Sequence, residues 1–190
     1  SSAGVQANIS SQYISALMLI APSLPEGLEI RLQGKVTSVP YILMTLELLM
    51  QCGISGKFEN NIISVSQQFS VPETEITVES DWSSASYFYS LAALSESAEL
   101  RLASYREESL QGDRIVADIY QKLGVKTTFL EDEIKLEKIP AQLPEKLELD
   151  LANSPDLAQT IAVTCFGLGV GLKMTGLHTL RIKETDRLQA

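Results

Sequence analysis

The sequence predicts an α/β protein assembled from copies of one strand, helix, strand, helix, strand, strand unit. Segments that open on small polar residues and continue as apolar helices begin at Asn8, Asp81 and Asn153, 73 and 72 residues apart. Leu28-Glu29-Ile30-Arg31-Leu32 recurs as Glu99-Leu100-Arg101-Leu102, and Gln51-Cys52-Gly53 recurs as Lys122-Leu123-Gly124, at nearly the same step. Between these landmarks, runs that alternate apolar and polar residues interleave with runs of helical period.

Each element of the repeat has a local reason. In the first copy, Val5-Gln6-Ala7-Asn8 reads as the tail of a strand, with Ser1–Gly4 as appended sequence. Ser10-Ser11-Gln12 opens a helix, and Pro40 sits near the first turn of a second helix running to Cys52, where its missing N–H costs nothing. In the second copy, Glu75-Ile76-Thr77-Val78-Glu79 alternates as a half-buried strand should, and Asp81 to Ser84 supplies capping groups for a helix reaching Leu94. A strand follows over Glu99–Ala103. Asp113 to Leu123 places Ile115, Val116, Ile119, Tyr120 and Leu123 on one helical face, with Asp113 as cap and Gly124 as left-handed stop. Val125–Leu130 and Glu133–Glu137 form a hairpin around Glu131-Asp132. In the third copy, Asn153-Ser154-Pro155-Asp156 opens a helix, the glycines of Gly167–Gly171 end it, and Leu172–Ile182 reads as a strand. The next helix is expected to start at Thr185 or Asp186, so the chain reads as a piece of a longer protein.

Composition narrows the function. With 190 residues and 45% hydrophobic content, the chain can bury a sizeable core. The longest apolar run, Ala158 to Leu172, contains Gln159, glycines and threonines, and falls short of the ~20 apolar residues of a membrane span. No basic flank and apolar run mark a signal peptide. Cys52 and Cys165 lie in apolar stretches without Cys or His neighbours, which fits reduced core residues and a cytoplasmic protein. A net charge of −9 with scattered Lys and Arg disfavours nucleic acid and anionic membrane as partners, so an anionic substrate needs local positive groups.

The richest chemistry lies in Lys183-Glu184-Thr185-Asp186-Arg187. On an exposed helix end these residues form the i,i+3 pairs Lys183–Asp186 and Glu184–Arg187 and need no further role. In a loop after a strand, the same lysine and glutamate suit proton transfer, and the arginine suits a carboxylate. Ser10-Ser11-Gln12 combines two hydroxyls, an amide and helix-start N–H groups, a phosphate-holding set that also serves as a cap. Ser83-Ser84 reads as a cap alone. Asp156, beside Pro155 in the first helical turn, either complements the helix dipole or accepts hydrogen bonds from substrate hydroxyls; spacing does not choose. His178 is the only histidine and reads as structural.

Taken in order, Ser10-Ser11-Gln12-Tyr13, Ser38-Val39-Pro40-Tyr41, Asp81-Trp82-Ser83-Ser84-Ala85-Ser86-Tyr87-Phe88, Gly112-Asp113-Arg114, Pro155-Asp156 and Arg181-Ile182-Lys183-Glu184-Thr185-Asp186-Arg187 resemble the EPSP synthase family, the 3-phosphoshikimate 1-carboxyvinyltransferases. The resemblance covers essentially the whole chain. It implies an inside-out α/β barrel of two domains, each built from three βαβαββ units. Two near-complete units and part of a third are then present here. Residues 1–80 would belong to the first, shikimate-phosphate-binding domain and residues 81–190 to the second, both incomplete.

The implied reaction moves the enolpyruvyl group of phosphoenolpyruvate to the 5-hydroxyl of shikimate 3-phosphate and releases phosphate, without metal or organic cofactor. By resemblance, Ser10, Ser11 and Ser38 hold the shikimate phosphate, while Gln12 and Tyr41 surround the ring. Asp156 binds hydroxyls and assists proton transfer, Lys183 and Glu184 resemble the proton-transfer pair, and Arg187 resembles an arginine that binds phosphoenolpyruvate. The parent is expected to be a monomer. Val39 stands where a lysine is common and Thr179 where an asparagine often contacts substrate. The family's N-terminal Lys-Ser and Arg motifs, its Asn-Ala-Gly-Thr segment and its C-terminal His-Arg and Lys motifs have no counterpart, so the chain alone is expected to be inactive. A UDP-amino-sugar enolpyruvyl transferase and a non-catalytic phosphate-binding module are the rival readings.

Overall fold

A computed structural model describes residues 1–7, 11–34, 36–182 and 185–189. The chain divides into two compact units, Ser1–Thr77 and Val78–Ala190.

The first unit runs β1 (Ser2–Gln6), α1 (Ser11–Ile20), β2 (Leu28–Gln33), α2 (Val39–Gln51), β3 (Gly56–Glu59) and β4 (Ile62–Val65), which is the repeat read from the sequence. Its sheet has the order β1-β2-β4-β3. β1 and β2 are parallel, in register from Ser2 opposite Glu29 to Gln6 opposite Gln33, so α1 serves as the crossover that parallel strands require. β4 runs antiparallel to both β2 and β3. Ile14 and Met18 of α1 and Ile42, Leu46 and Leu49 of α2 pack on Ile30 and Ile63 of the sheet to form the core. β1 reaches back to Ser2, so the stretch expected to be an appendage contributes three residues to a strand.

The second unit lacks the strand expected over Glu75–Glu79. Residues 71–80 have no regular structure, and Val78 is 83% exposed. Alternation alone does not make a strand; a sheet neighbour must take its N–H and C=O groups. The unit continues with α3 (Trp82–Leu94), β5 (Glu99–Ala103), α4 (Val116–Gln121), β6 (Val125–Phe129) and β7 (Glu133–Lys138), with sheet order β5-β7-β6. The β6–β7 hairpin falls where expected, and Gly124 turns with φ +83°. The helix expected from Asp113 divides into a 3-10 turn, Gly112–Ile115, and the short α4.

The third copy contributes β8 (Lys146–Asp150), a 3-10 turn at Pro155–Leu157, α5 (Ala158–Leu168) and β9 (Gly171–Thr175). β8 and β9 are parallel, from Lys146 opposite Gly171 to Asp150 opposite Thr175. The strand expected to reach Ile182 stops at Thr175 because Gly176 turns with φ +79° and a 3-10 turn follows at His178–Ile182. A Cβ on Gly176 would lie 2.3 Å from the Ala152 nitrogen, so only glycine lets these two loops approach. At the other end, Gly169 (φ +70°) closes α5 as the glycine run suggested.

α3, α4 and α5 share one core with Trp82, Tyr89, Tyr120, Leu123, Ile134 and Ile161 buried in it. A hydroxyl network runs through it. Thr164, fully buried, lies 2.7 Å from the Tyr120 hydroxyl and 2.8 Å from both Ser90 Oγ and the Thr160 carbonyl. The Thr164 hydroxyl shares its one hydrogen between the Ser90 hydroxyl and the Thr160 carbonyl, which leaves its lone pairs to accept from Tyr120. Burial pushes the Tyr120 phenol up to about 12. Among the described residues, no helix is long and apolar enough to cross a membrane. Cys52 and Cys165 are both free thiols.

Candidate functional site

Parallel strand pairs decide where the candidate residues collect. Helices that follow adjacent parallel strands start at the same edge of the sheet, where side chains and helix-start N–H groups face outward. In the first unit, the connections after β1 and β2 carry Ser11 and Gln12 in the first turn of α1, and Ser38 and Tyr41 at the start of α2. The two connections are joined directly. The Ala7 N–H donates to the Gln33 carbonyl at 3.0 Å, and the buried Thr37 hydroxyl donates to the Ala7 carbonyl at 3.4 Å. One turn further in, Ser15 Oγ lies 2.8 Å from Thr45 Oγ1. Thus four of the five residues expected to surround one ligand stand at one sheet edge; Ser10 lies outside the described residues.

Ser38 has an unusual backbone. It precedes α2 with φ 53° and ψ 38°, left-handed, and makes no side-chain cap bond. A non-glycine residue there costs about 1–2 kcal/mol. Its carbonyl accepts from the Tyr41 N–H at 3.0 Å, which closes the turn around Val39 and Pro40.

The second repeat treats its serines differently. Asp81, not a serine, caps α3 by accepting from the Ser83 N–H at 2.9 Å. Ser84 Oγ donates to Asp81 Oδ2 at 2.7 Å, and Ser83 Oγ donates to Asp113 Oδ2. Asp113 is fully buried and does not cap the following turn, whose N-cap is Gln111, because its carboxylate points back to α3. Gln111 itself accepts from the Trp82 N–H at 2.9 Å and donates to the Ser80 carbonyl at 2.9 Å.

At the β8–β9 edge, Asp156 stands in the Pro155–Leu157 turn after β8, and Arg187 follows the 3-10 turn after β9. Arg187 Nη1 lies 3.1 Å from Asp156 Oδ1, with the two side chains about one-third exposed at 30% and 34%. The Arg187 N–H donates to the Leu180 carbonyl at 3.0 Å, and Leu180 is fully buried, which ties this segment to the core. Ser154, also buried, anchors the other side by donating to the Gly112 carbonyl at 3.0 Å. The resemblance gave Asp156 and Arg187 to different ligands; here they are an ion pair 31 residues apart in sequence. An exposed pair contributes at most ~1 kcal/mol, and this one, about one-third exposed, is less screened than that. Thr179 is 5% exposed, and among the described residues its hydroxyl has no hydrogen-bond partner. Lys183 and Glu184, together with their expected i,i+3 pairs, lie outside the described residues. No three His, Cys, Asp or Glu side chains among the described residues gather into a metal-sized cluster.

Ser15, Thr37, Thr45 and Gln111 entered no motif, yet they hold these loops. Ser15 and Thr45 each lie one turn after a candidate residue, and polar side chains on an otherwise apolar inward face were the signal available.

Residues 1–190 match the family described as EPSP synthase (3-phosphoshikimate 1-carboxyvinyltransferase). A 3-phosphoshikimate 1-carboxyvinyltransferase of Bacteroides fragilis is 45% identical over 188 residues, covering 98% of this chain and 45% of that protein. One from Mannheimia haemolytica is 33% identical over 189 residues, covering 98% of this chain and 43% of that protein. The chain therefore spans about half the length of the curated relatives it matches. A solved EPSP synthase from Acinetobacter baumannii superposes with a TM-score of 0.73 at 20% identity, over 100% of this chain and 43% of that one, which shows the same α/β fold. Matched along its whole length, this chain belongs to the EPSP synthase family.

Proposed function

We propose that these residues work within an enzyme that transfers the enolpyruvyl group of phosphoenolpyruvate to the 5-hydroxyl of shikimate 3-phosphate, giving 5-enolpyruvylshikimate 3-phosphate and inorganic phosphate. The observation that carries the reading is the family match over residues 1–190. Residues 1–80 are assigned to a shikimate-phosphate-binding domain and residues 81–190 to a second domain.

In this reading Ser10, Ser11 and Ser38 hold the phosphate through hydroxyl and backbone N–H groups, which bind an anion without a local cation. Gln12 and Tyr41 line the ring. Addition of the 5-hydroxyl to C2 of phosphoenolpyruvate requires loss of the hydroxyl proton and protonation of the methylene carbon. Expulsion of phosphate from the tetrahedral intermediate then returns the double bond and releases a proton. Asp156, Lys183 and Glu184 serve these transfers, and Arg187 receives the phosphoenolpyruvate carboxylate in place of Asp156. The enzyme acts as a cytoplasmic monomer.

Phosphate release with both substrates tests the reading. A complete enzyme carrying these residues is expected to turn over, and Asp156→Ala to lose roughly 10²–10⁴-fold in kcat. The 190-residue chain alone is expected to release none. Turnover with a UDP-amino sugar in place of shikimate 3-phosphate, or a full rate from the chain alone, contradicts it.

A further inference from the structure

Hydrogen counting fixes the direction of the bond between α1 and α2. Thr45 Oγ1 lies 2.9 Å from the Tyr41 carbonyl, its own helix's preceding turn, and 2.8 Å from Ser15 Oγ. The carbonyl can only accept, so it takes the single Thr45 hydrogen, and Thr45 in turn accepts from Ser15. Thr45 is 7% exposed and Ser15 half-buried, so water competes weakly for this bond.

The bond sits one helical turn behind Ser11 on α1 and one turn behind Tyr41 on α2. The remaining facing positions are apolar: Ile14 and Met18 on one helix, and Ile42, Leu46 and Leu49 on the other. Apolar packing sets a distance between helices but tolerates sliding along them, whereas a hydrogen bond between two short side chains fixes the register.

We propose that Ser15 and Thr45 form a positioning clasp that sets the spacing between the α1 and α2 starts, and thereby the grip on the phosphate of shikimate 3-phosphate. This rests on the function proposed above. An anion shared between Ser11 on one helix and Ser38 before the other is held well only if both arrive together. The clasp touches neither substrate and leaves the phosphoenolpyruvate side unaffected.

Steady-state kinetics of the complete enzyme, with Ser15→Ala, Thr45→Val and Thr45→Ser, give the test. Loss of either partner is expected to raise KM for shikimate 3-phosphate about five- to tenfold, the scale of a modest misplacement. kcat and KM for phosphoenolpyruvate should stay within about a factor of two of wild type, a split that general destabilisation does not produce. Thr45→Ser, which keeps the hydroxyl, should restore the wild-type KM. Amide exchange provides a readout independent of the reaction. The first turns of α1 and α2 should exchange faster in Thr45→Val and in Ser15→Ala while β2 and β4 keep their protection. An unchanged KM for shikimate 3-phosphate in an active enzyme, equal changes for both substrates, or unchanged exchange in both helix starts would overturn the clasp. An inactive wild type overturns the proposed reaction, while the exchange result still decides the clasp.

Discussion

The β1–β2 edge of the first repeat and the α3 start of the second carry matching serine pairs in sequence, yet among the described residues they are held by different bonds. The α3 start is closed by its own protein: Asp81 caps it, Ser84 donates to Asp81, Ser83 donates to buried Asp113, and the Trp82 N–H is taken by Gln111. The Tyr105 hydroxyl adds a bond to the Asp81 carbonyl at 3.0 Å. Among the described residues of the β1–β2 edge, the bonds through Thr37, Ser15 and Thr45 lie one layer back, and Ser38 is left-handed without a side-chain cap bond. Identical serine pairs therefore say little by themselves. For Ser83 and Ser84 the fold supplies the carboxylates of Asp113 and Asp81, which take both hydroxyls.

The largest expected effect lies at the closed start. Trp82 is fully buried and meets Tyr105 edge-on at 5.0 Å, so Trp82→Ala should cost about 3–5 kcal/mol in urea unfolding followed by circular dichroism. A loss near zero would mean that the α3 start is not a structural anchor. Next, Asp81→Ala removes the cap and the acceptor for Ser84, with an expected cost of about 1 kcal/mol. Because Trp82 is the only tryptophan, its fluorescence reports this loss in the second unit.

The start of α2 should respond in the other direction. Ser38→Gly removes a left-handed penalty of about 1–2 kcal/mol, partly offset by the greater freedom of glycine when unfolded. Unfolding should show no loss of stability, while the affinity of the complete enzyme for shikimate 3-phosphate falls. A clear destabilisation would make Ser38 a structural residue like Ser83.

The smallest effect at neutral pH concerns the core beneath α3. Burial raises the Tyr120 phenol to about 12, above its ordinary value of 10. The folded state thus holds this proton more tightly than the unfolded state. Its stabilising contribution is complete below pH 10 and drains away as pH rises toward 12, so urea midpoints should fall between about pH 10 and pH 12. Thr164→Val should move that fall to higher pH, since the hydrogen bond to Thr164 holds the phenol down against burial.

Much of this was legible in the sequence. The first unit's strands and helices followed from period, caps and glycine stops, because each pattern coincides with a real partner. Glu75–Glu79 failed because a strand also needs a neighbour, which alternation does not encode. The strand from Leu172 ended early because Gly176 must pass close to Ala152, a contact set by β8 and invisible to local pattern. Motifs singled out Ser11, Gln12, Ser38, Tyr41, Asp156 and Arg187 as candidates, but not the Asp156–Arg187 pair, which depends on the parallel pairing of β8 and β9. The ties through Ser15, Thr37 and Thr45 were missed for the same reason: each spans 30 residues or more, and no local signal marks the partner.

The most direct measurement is shikimate 3-phosphate binding by calorimetry to the complete enzyme carrying either Ser11→Ala with Ser38→Ala or Ser83→Ala with Ser84→Ala. The first variant should lose affinity about tenfold or more, equivalent to roughly 1.4 kcal/mol, with an unchanged melting temperature. The second should keep its affinity and melt lower. Retained affinity in the first variant, or lost affinity in the second, would contradict the division between ligand-holding and structural serines.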